Sequence, residues 1–477
     1  MGIVKKGKKN FWLHIIVGPT LLLLCIYLLP ASAFESFEAR AAIGTVAWMA
    51  YWWITGPVDY AVTALLPIAV NALLSITDMS GVISNYASET ILLLLGVSVL
   101  TVSWEITGLD KRIAAVFLGL IGTSLTSHII FWFLLSTVLS AVLPNAVVCA
   151  TITPIAVSML KYVGISEISG NRTGSLILMT IAWGAGVGGL ASPLGGAMNL
   201  VVVDYIQELT GTEYMYSDWV IKFLPIMLLL IVSNIIFLLC VKPKKVQLSG
   251  SRDYFRQMRA DMGKMSRNEI ICLSLFLIAT VLSFSRSLYS SVLPGLKPAY
   301  VFIICAILSF LVRNKEGERI MKWNYVQTKI VWSLIYVFAG GLAAGTLLTD
   351  SGADLCIGEL VSGMGLTGGF VTVLVIVAVT ILLSDVTSNT ATAAVAIPIV
   401  ISIINGIGLN PIPYVFIATI GVNLSYMLPT SIRAIPVGYG MSPSFMFKKG
   451  VVLTVILIAL LSVSAWALLS TGWFNLA

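Results

Sequence analysis

Few side chains in this sequence could hold a metal ion or act as a nucleophile. The chain contains two histidines, His14 and His128, and six scattered cysteines, in no CxxC, HExxH or GxSxG pattern. Zinc, haem and iron–sulfur sites need clustered ligands, and many serine hydrolases need the elbow that GxSxG forms. We therefore predict that the protein is not an enzyme and uses no cofactor. An intramembrane enzyme is a remote alternative.

Two polar tripeptides inside apolar stretches are the first candidates for ligand binding. They are Pro144-Asn145-Ala146 and Ser388-Asn389-Thr390. A polar tip before a helix offers side-chain donors and free N–H groups, and the helix dipole there favours an anion. Two such tips that face each other could hold the two carboxylates of a dianion. The alternative is that both asparagines only cap helices.

Arg433 is the sole charged residue in the stretch 411–447. An unpaired arginine at the bilayer centre costs at least about 2.5–3.5 kcal/mol, so something must compensate this cost. Our main hypothesis is that its guanidinium binds a dicarboxylate through paired hydrogen bonds. Two structural alternatives stay open. Arg433 could extend to water at the end of its helix, or it could pair with Asp385 as a charge partner.

The elements that must position these residues are membrane helices. Of the 477 residues 58% are hydrophobic and only 10% are charged, whereas soluble domains have about 25% charged residues. The apolar residues form helix-length stretches. These features exclude a soluble enzyme, a disordered tail and a disulfide-rich scaffold. They predict an all-α polytopic membrane protein.

The net charge of +7 reflects membrane topology and does not indicate a nucleic-acid partner. Most lysines and arginines fall in alternate loops, as the positive-inside rule requires. This distribution predicts a multi-pass protein of the cell membrane, with the N-terminus cytoplasmic and the C-terminus outside.

The sequence also contains an internal repeat. Residues 131–159 align without gaps to residues 375–403, so that Asn145 matches Asn389 at an offset of 244 positions. An odd number of crossings between equivalent elements would place the two halves in opposite orientations. Inverted repeats of this kind are typical of secondary transporters, whose substrate site lies where the broken elements of both halves meet.

We divide the chain accordingly into two halves and predict about 11 transmembrane helices. Each half has one re-entrant hairpin and one helix broken inside the membrane, and a basic cytoplasmic linker joins them. The predicted ranges are 1–241 with hairpin 113–160 and broken helix 173–203, linker 242–268, and 269–477 with hairpin 366–405 and broken helix 411–447. Pro144, Pro193, Gly195 and Pro429 mark the hairpin tips and breaks.

Several motifs resemble the divalent anion/sodium symporter family, the INDY-type transporters of di- and tricarboxylates. They are Ser388-Asn389-Thr390-Ala391, Thr63-Ala64-Leu65-Leu66-Pro67 and Met427-Leu428-Pro429. The resemblance covers about residues 40–470. It implies a homodimer in the lipid bilayer, with a scaffold domain and a mobile transport domain that work by an elevator mechanism. The candidate substrate-binding residues are Asn145, Ala146, Gly196, Ser388, Asn389, Thr390, Ser431 and Arg433.

Departures from the family pattern lead to the functional prediction. The first hairpin tip lacks the two hydroxyls of the family's usual Ser-Asn-Thr, and Arg433 stands in a segment that holds sodium in sodium-coupled members. We therefore predict sodium-independent exchange (antiport) of C4–C5 dicarboxylates such as malate, succinate, fumarate or 2-oxoglutarate, with no metal bound. The alternative is a sodium-coupled dicarboxylate or citrate symporter. Its candidate cation ligands are Ser140, Asn145, Asp385, Ser388 and Asn389.

Overall fold

A computed structural model describes residues 11–30, 34–244, 246–314, 316–356 and 367–476. Within these ranges the chain forms helices and no sheet, apart from two isolated β-bridges. The first-half helices are α1 Phe11–Leu28, α2 Phe37–Thr55, α3 Tyr60–Thr63, α4 Leu66–Leu74, α5 Met79–Ser84, α6 Glu89–Thr107, α7 Leu109–Leu118, α8 Leu125–Ser140, α9 Asn145–Tyr162, α10 Arg172–Gly189, α11 Ala197–Thr210 and α12 Tyr216–Val241.

A short helix in the predicted linker and the second-half helices come next. They are α13 Ser251–Asp261, α14 Arg267–Phe284, α15 Arg286–Tyr289, α16 Pro298–Ser309, α17 Trp323–Lys329, α18 Trp332–Asp350, α19 Phe370–Val386, α20 Asn389–Gly406, α21 Ile412–Asn423, α22 Ala434–Gly438 and α23 Pro443–Ser470. Short 3₁₀ turns occupy Asn85–Ala87, Pro193–Gly195 and Ser431–Arg433.

The prediction of an all-α polytopic membrane protein is confirmed. In the described ranges eight helical segments are long and apolar enough to cross a bilayer, and five shorter apolar helices accompany them. Large apolar side chains stay exposed on the long helices, for example Leu228 on α12, Val281 on α14 and Val455 on α23. Such exposure suits a lipid-facing surface and not a water-facing one. The count of about 11 crossings and the orientation of the termini stay predictions.

The first hairpin begins later than predicted. Instead of starting at 113, it consists of α8 and α9, because Ser124 caps α8 by accepting a hydrogen bond from the Ser127 N–H at 3.1 Å. The preceding residues belong to the separate helix α7. The first broken helix extends from Arg172 to Thr210, slightly beyond the predicted 173–203.

The second half differs from the prediction in a similar way. The second hairpin is α19 and α20, and residue 366 of the predicted range 366–405 lies outside the described residues. The second broken helix ends at Gly438 instead of 447. Ser442 caps the last helix by accepting from the Phe445 N–H at 3.3 Å, and Pro443 occupies the first helical position. Residues 443–447 therefore belong to α23.

The repeat is visible in the helix bounds and in one hydrogen bond. Helices α9 and α20 both have 18 residues, and their first residues are the matched Asn145 and Asn389. Ser140 Oγ donates to the Ala185 carbonyl at 2.8 Å, and Ser384 Oγ donates to the Val422 carbonyl at 2.8 Å. In each half, the hairpin is thus bound to the broken helix by the same type of contact. The inverted orientation of the halves stays a prediction.

The predicted linker 242–268 is packed against the first hairpin. The Ser251 hydroxyl lies 3.0 Å from His128 Nε2, and the buried Phe255 ring packs edge-on against Trp132 with centroids 6.0 Å apart. These contacts fix α13 at the base of α8. The segment therefore forms part of the first half's packing as well as connecting the two halves.

Close packing of α8 against α10 depends on glycine. A Cβ added at Gly188 would lie 2.2 Å from the Thr137 carbonyl oxygen, whereas one added at Gly186 would meet only Ile432 Cδ1 at 3.8 Å. Real Cβ atoms tolerate the second distance but not the first. The two helices would have to separate to accept a side chain at Gly188.

We therefore expect Gly188→Ala to lower the free energy of unfolding by about 1–3 kcal/mol. Gly186→Ala on the same helix should be neutral or slightly stabilising, because alanine favours the helix. Thermal unfolding of the two purified variants measures the difference. Equal stability of the variants would contradict the predicted close contact.

Candidate functional site

The first hairpin tip lies against the break in the first broken helix. Pro144 precedes α9, and Asn145, the first residue of that helix, is half-buried. A Cβ at Gly189 would lie 3.3 Å from Asn145 Nδ2, so this amide packs on the end of α10. Gly195 approaches the hairpin closely too, because a Cβ there would lie 2.5 Å from the Ser140 carbonyl oxygen.

One asparagine closes the first break. Asn199 Nδ2 donates to the Gly189 carbonyl at 2.6 Å and to the Ser192 carbonyl at 2.8 Å. Ser192 Oγ accepts from the Leu194 N–H at 3.1 Å and donates to the Ala141 carbonyl. These backbone groups at the break are therefore hydrogen-bonded within the protein, as the interior of a membrane requires.

The second hairpin tip carries the more polar of the two repeat-related sequences. Ser388 caps α20 by accepting from the Ala391 N–H at 3.1 Å. The buried Asn389 donates through Nδ2 to the Asn423 carbonyl at 3.0 Å, and its Oδ1 accepts from Ser425 Oγ at 3.1 Å. Asn389 thus binds the second break. Thr390 is buried beside it.

A buried amide contact joins the two broken helices. Asn423 Nδ2, at the end of α21, donates to Asn199 Oδ1, near the start of α11, at 2.8 Å. Both side chains are almost fully buried. Together with Asn389, this contact connects elements from both repeats at one point. The two broken helices, which were expected to meet, are therefore in contact at these asparagines.

Asp385 and Arg433 bind the unwound segment 424–430 from two sides. The Asp385 carboxylate accepts from the N–H groups of Tyr426 at 2.8 Å and Met427 at 2.7 Å. Arg433 donates to the carbonyls of Ser425 at 3.0 Å and Leu428 at 3.1 Å. We call this arrangement the Asp385–Arg433 clamp. It satisfies donors and acceptors of a segment in which the regular helical hydrogen bonds are interrupted.

Thr430 links the two charged residues of the clamp. Its Oγ1 donates to the Asp385 carbonyl at 2.9 Å and accepts from Arg433 Nη2 at 3.1 Å. Asp385 and Arg433 attract each other electrostatically, although they form no direct ion pair among the described residues. Arg433 is only 1% exposed, which contradicts the alternative in which it extends to water.

The remaining predicted residues at this break lie nearer the surface. Pro429 and Ser431 are exposed, and Ser431 has a left-handed φ of 50° at the start of the 3₁₀ turn that leads to Arg433. Few residues other than glycine adopt that region. The turn redirects the chain after the unwound segment.

A large cavity reaches the first half of the site. Its volume is about 1200 Å³, and the lining includes Pro144, Ala146, Gly196 and, from the second half, Ile435. The first turns of α9 and α11 border it. Their N-termini create a positive potential that suits an anion. Among the predicted binding residues, Asn145, Ser388, Asn389, Thr390, Ser431 and Arg433 are not part of this lining.

Charged residues surround the opposite end of the cavity. The basic ones are Lys111, Arg319, Lys322 and Lys329, and the acidic ones are Glu105, Asp110 and Glu318. Lys329 forms an ion pair with Glu105. These basic residues belong to segments that the positive-inside rule predicts to be cytoplasmic. The cavity therefore opens on the side predicted to be cytoplasmic.

The sequence did not single out four of the residues that hold the site together. These are Asn199, Asn423, Ser425 and Thr430, which form hydrogen bonds at the two helix breaks. Each is a polar residue in an otherwise apolar broken helix, and that pattern is a usable signal for buried hydrogen bonding. Their partners could not be read from it, since Asn199 and Asn423 are 224 positions apart.

A sequence model described as "Citrate transporter" matches residues 50–421, most of the chain. The chain belongs to this citrate transporter family. Curated relatives of this family member include the sodium-dependent dicarboxylate transporter SdcS of Staphylococcus saprophyticus, 27% identical over 91% of this chain and 88% of the relative. SdcS of Staphylococcus aureus is 28% identical over 89% of this chain and 85% of the relative. The resemblance to divalent anion/sodium symporters is confirmed.

We expect the Asp385–Arg433 clamp of this citrate transporter family member to behave as one coupled unit. Arg433→Gln leaves a buried carboxylate uncompensated, and Asp385→Asn leaves a buried guanidinium uncompensated, so each should destabilise the protein. The double variant restores neutrality. It should be more stable than the sum of the single effects predicts, by about 0.5–3 kcal/mol.

Thermal unfolding of the wild type, both single variants and the double variant completes this cycle. Ser431→Ala, in the same turn but exposed, serves as a control with little expected effect. Strictly additive losses would show that the two side chains act independently.

Proposed function

We propose that the protein is a secondary transporter that carries C4–C5 dicarboxylates across the cell membrane together with sodium. Near full-length similarity to proteins named sodium-dependent dicarboxylate transporters supports this proposal. It replaces sodium-independent exchange as the leading hypothesis, because the relatives favour the symport alternative.

The cavity supports an anionic substrate. A dicarboxylate that enters it would meet the N-termini of α9 and α11 at Pro144, Ala146 and Gly196. Free N–H groups and helix dipoles at this end stabilise a carboxylate. Rearrangement around this point would bring the second carboxylate to the Ser388-Asn389-Thr390 tip.

The observation that carries the sodium part is the Asp385–Arg433 clamp. Because Arg433 is compensated by a buried carboxylate, the pair adds no net charge to offset a dianion. One oxygen of Asp385 and Oδ1 of Asn423 are buried without a hydrogen-bond partner in the described part of the chain. Oxygen atoms of this kind suit a hard cation, and a buried carboxylate needs a partner. A co-transported sodium ion would offset the charge of the dianion and would be a partner for these buried oxygen atoms.

Exchange without sodium is the second candidate. Arg433 uses one N–H of each guanidinium nitrogen in the clamp, which leaves two further N–H groups. The first hairpin tip also has no hydroxyl at 144–146. If these free donors bound substrate, they would be left unsatisfied in the empty carrier, which would then reorient slowly. Elevator movement and a homodimer are common to both candidates and belong to the proposal.

Uptake into proteoliposomes distinguishes the two candidates. With an inward sodium gradient and no internal substrate, symport predicts that labelled succinate accumulates above its external concentration. Replacing sodium by choline should abolish accumulation, because the cation supplies the driving force.

Exchange predicts the opposite pattern in this experiment. Uptake would then require internal succinate or malate and would be equal in sodium and choline. Empty liposomes measure passive leak. Uptake that needs internal substrate and ignores sodium would overturn the symport proposal.

We expect Asp385→Asn to raise the half-saturating sodium concentration about tenfold or more, because loss of a nearby charge costs a bound cation at least about 1.4 kcal/mol. Asp110→Asn removes a carboxylate that lines the cavity but lies on α7, away from the second tip, and should leave sodium dependence nearly unchanged. Initial uptake rates over a sodium titration provide the comparison. Equal sodium dependence in the two variants would remove Asp385 from the cation site.

A further inference from the structure

A second cavity lies between three helix ends, separate from the substrate cavity. Its volume is about 540 Å³. It lies where the N-termini of α10 and α23 meet the C-terminus of α12. The lining is polar and basic: Ser169, Gly170, Asn171, Arg172, Ser175, Val241, Lys242, Pro243, Ser442, Ser444, Phe445, Lys448 and Lys449.

Four cationic side chains meet at this cavity without a carboxylate among its lining residues. They are Arg172 on α10, Lys242 after α12, and Lys448 and Lys449 on α23. In the part of the chain that the structure describes, none of the four forms an ion pair with an aspartate or glutamate. The four ion pairs of the described residues, such as Arg112 with Glu269, all lie elsewhere. The cavity therefore has a positive potential that the protein itself leaves unbalanced.

Two long helices begin at the same cavity. Asn171 caps α10, an 18-residue helix, by accepting from the N–H groups of Thr173 and Gly174 at 2.9 and 3.0 Å. Ser442 caps α23, which has 28 residues. Both helix dipoles point their positive ends toward the cavity and add to the charge of the four side chains. The hydroxyls of Ser169 and Ser444 add hydrogen-bond donors.

We propose that this cavity binds a phosphate-bearing anion, such as the headgroup of an anionic phospholipid. The positive-inside rule explains why basic residues lie at this end of the protein. It does not explain why four of them, from three helices far apart in sequence, line one cavity. Basic pockets between transmembrane helices on the cytoplasmic side are the type of site that recognises phosphate headgroups. Arginine and lysine both bind phosphate, arginine through paired hydrogen bonds.

The position of the cavity gives binding a structural consequence. The Ser442 N–H donates to Ser175 Oγ at 3.3 Å, which already connects the start of α23 to the start of α10. Helix α10 leads directly to the first break. An anion bound to α10, α12 and α23 together would hold these helix ends in one arrangement and stabilise the folded protein.

Thermal unfolding of the detergent-purified protein with added phosphatidylglycerol, phosphatidylcholine or inorganic phosphate tests the proposal. Phosphatidylglycerol should raise the unfolding midpoint by at least about 3 °C, whereas phosphatidylcholine, which has no net charge, should have a smaller effect. An equal effect of inorganic phosphate would identify free phosphate as the source of the anion. No stabilisation by any anion would overturn the proposal.

Matched variants assign the effect to this cavity. K448Q/K449Q should lose most of the stabilisation by phosphatidylglycerol. R256Q/R259Q removes the same charge from the exposed face of α13, outside the cavity. This variant should still be stabilised by phosphatidylglycerol. Arg172→Gln is a second cavity variant in case the lysine pair is needed for folding. If the α13 variant loses as much stabilisation as the cavity variants, the effect is general charge attraction and the proposal is wrong.

Discussion

A helix that breaks inside a membrane must find new partners for the backbone groups that the break frees, and the whole site depends on how this chain supplies them. Lipid offers no hydrogen bonds, and each unsatisfied group costs several kcal/mol. In the first half a neutral amide closes the break, because Asn199 donates to two carbonyls. In the second half the Asp385 carboxylate binds N–H groups of one unwound segment, and the Arg433 guanidinium binds its carbonyls. The second solution brings two charges into the protein interior.

These charges constrain how the protein can handle an anion. A lone buried arginine would favour a dianion permanently, which was the basis for predicting exchange. Because Asp385 lies on the other side of the same segment, the positive charge is largely compensated before any substrate binds. A dianion then needs another source of positive charge. Helix N-termini would supply part of it at the first tip, and in the proposed symport a co-transported cation would supply the rest.

Much of the architecture could be predicted because it depends on local pattern and repetition. The apolar stretches indicated membrane helices, and the constant offset that matches Asn145 with Asn389 located both tips at the starts of equal-length helices. Helix ends were less accurate, since single capping residues such as Ser124 and Ser442 decide them. The partners of Arg433 were not predictable. Bonding to Ser425 and Leu428 depends on how an unwound segment folds back, and spacing does not encode that path.

The two halves of the repeat therefore share a framework but differ in chemistry. Equivalent serines, Ser140 and Ser384, bind each hairpin to its broken helix in the same way. At the break of the second half two charged side chains, Asp385 and Arg433, are buried, whereas the large cavity reaches the tip of the first. In the proposed function, an anion in this cavity would meet helix N-termini, and the groups suited to a cation, Asp385 and Asn423, lie outside the cavity lining. In the proposed symport, the substrate and cation sites would lie on either side of the Asn199–Asn423 contact, which joins the two broken helices directly.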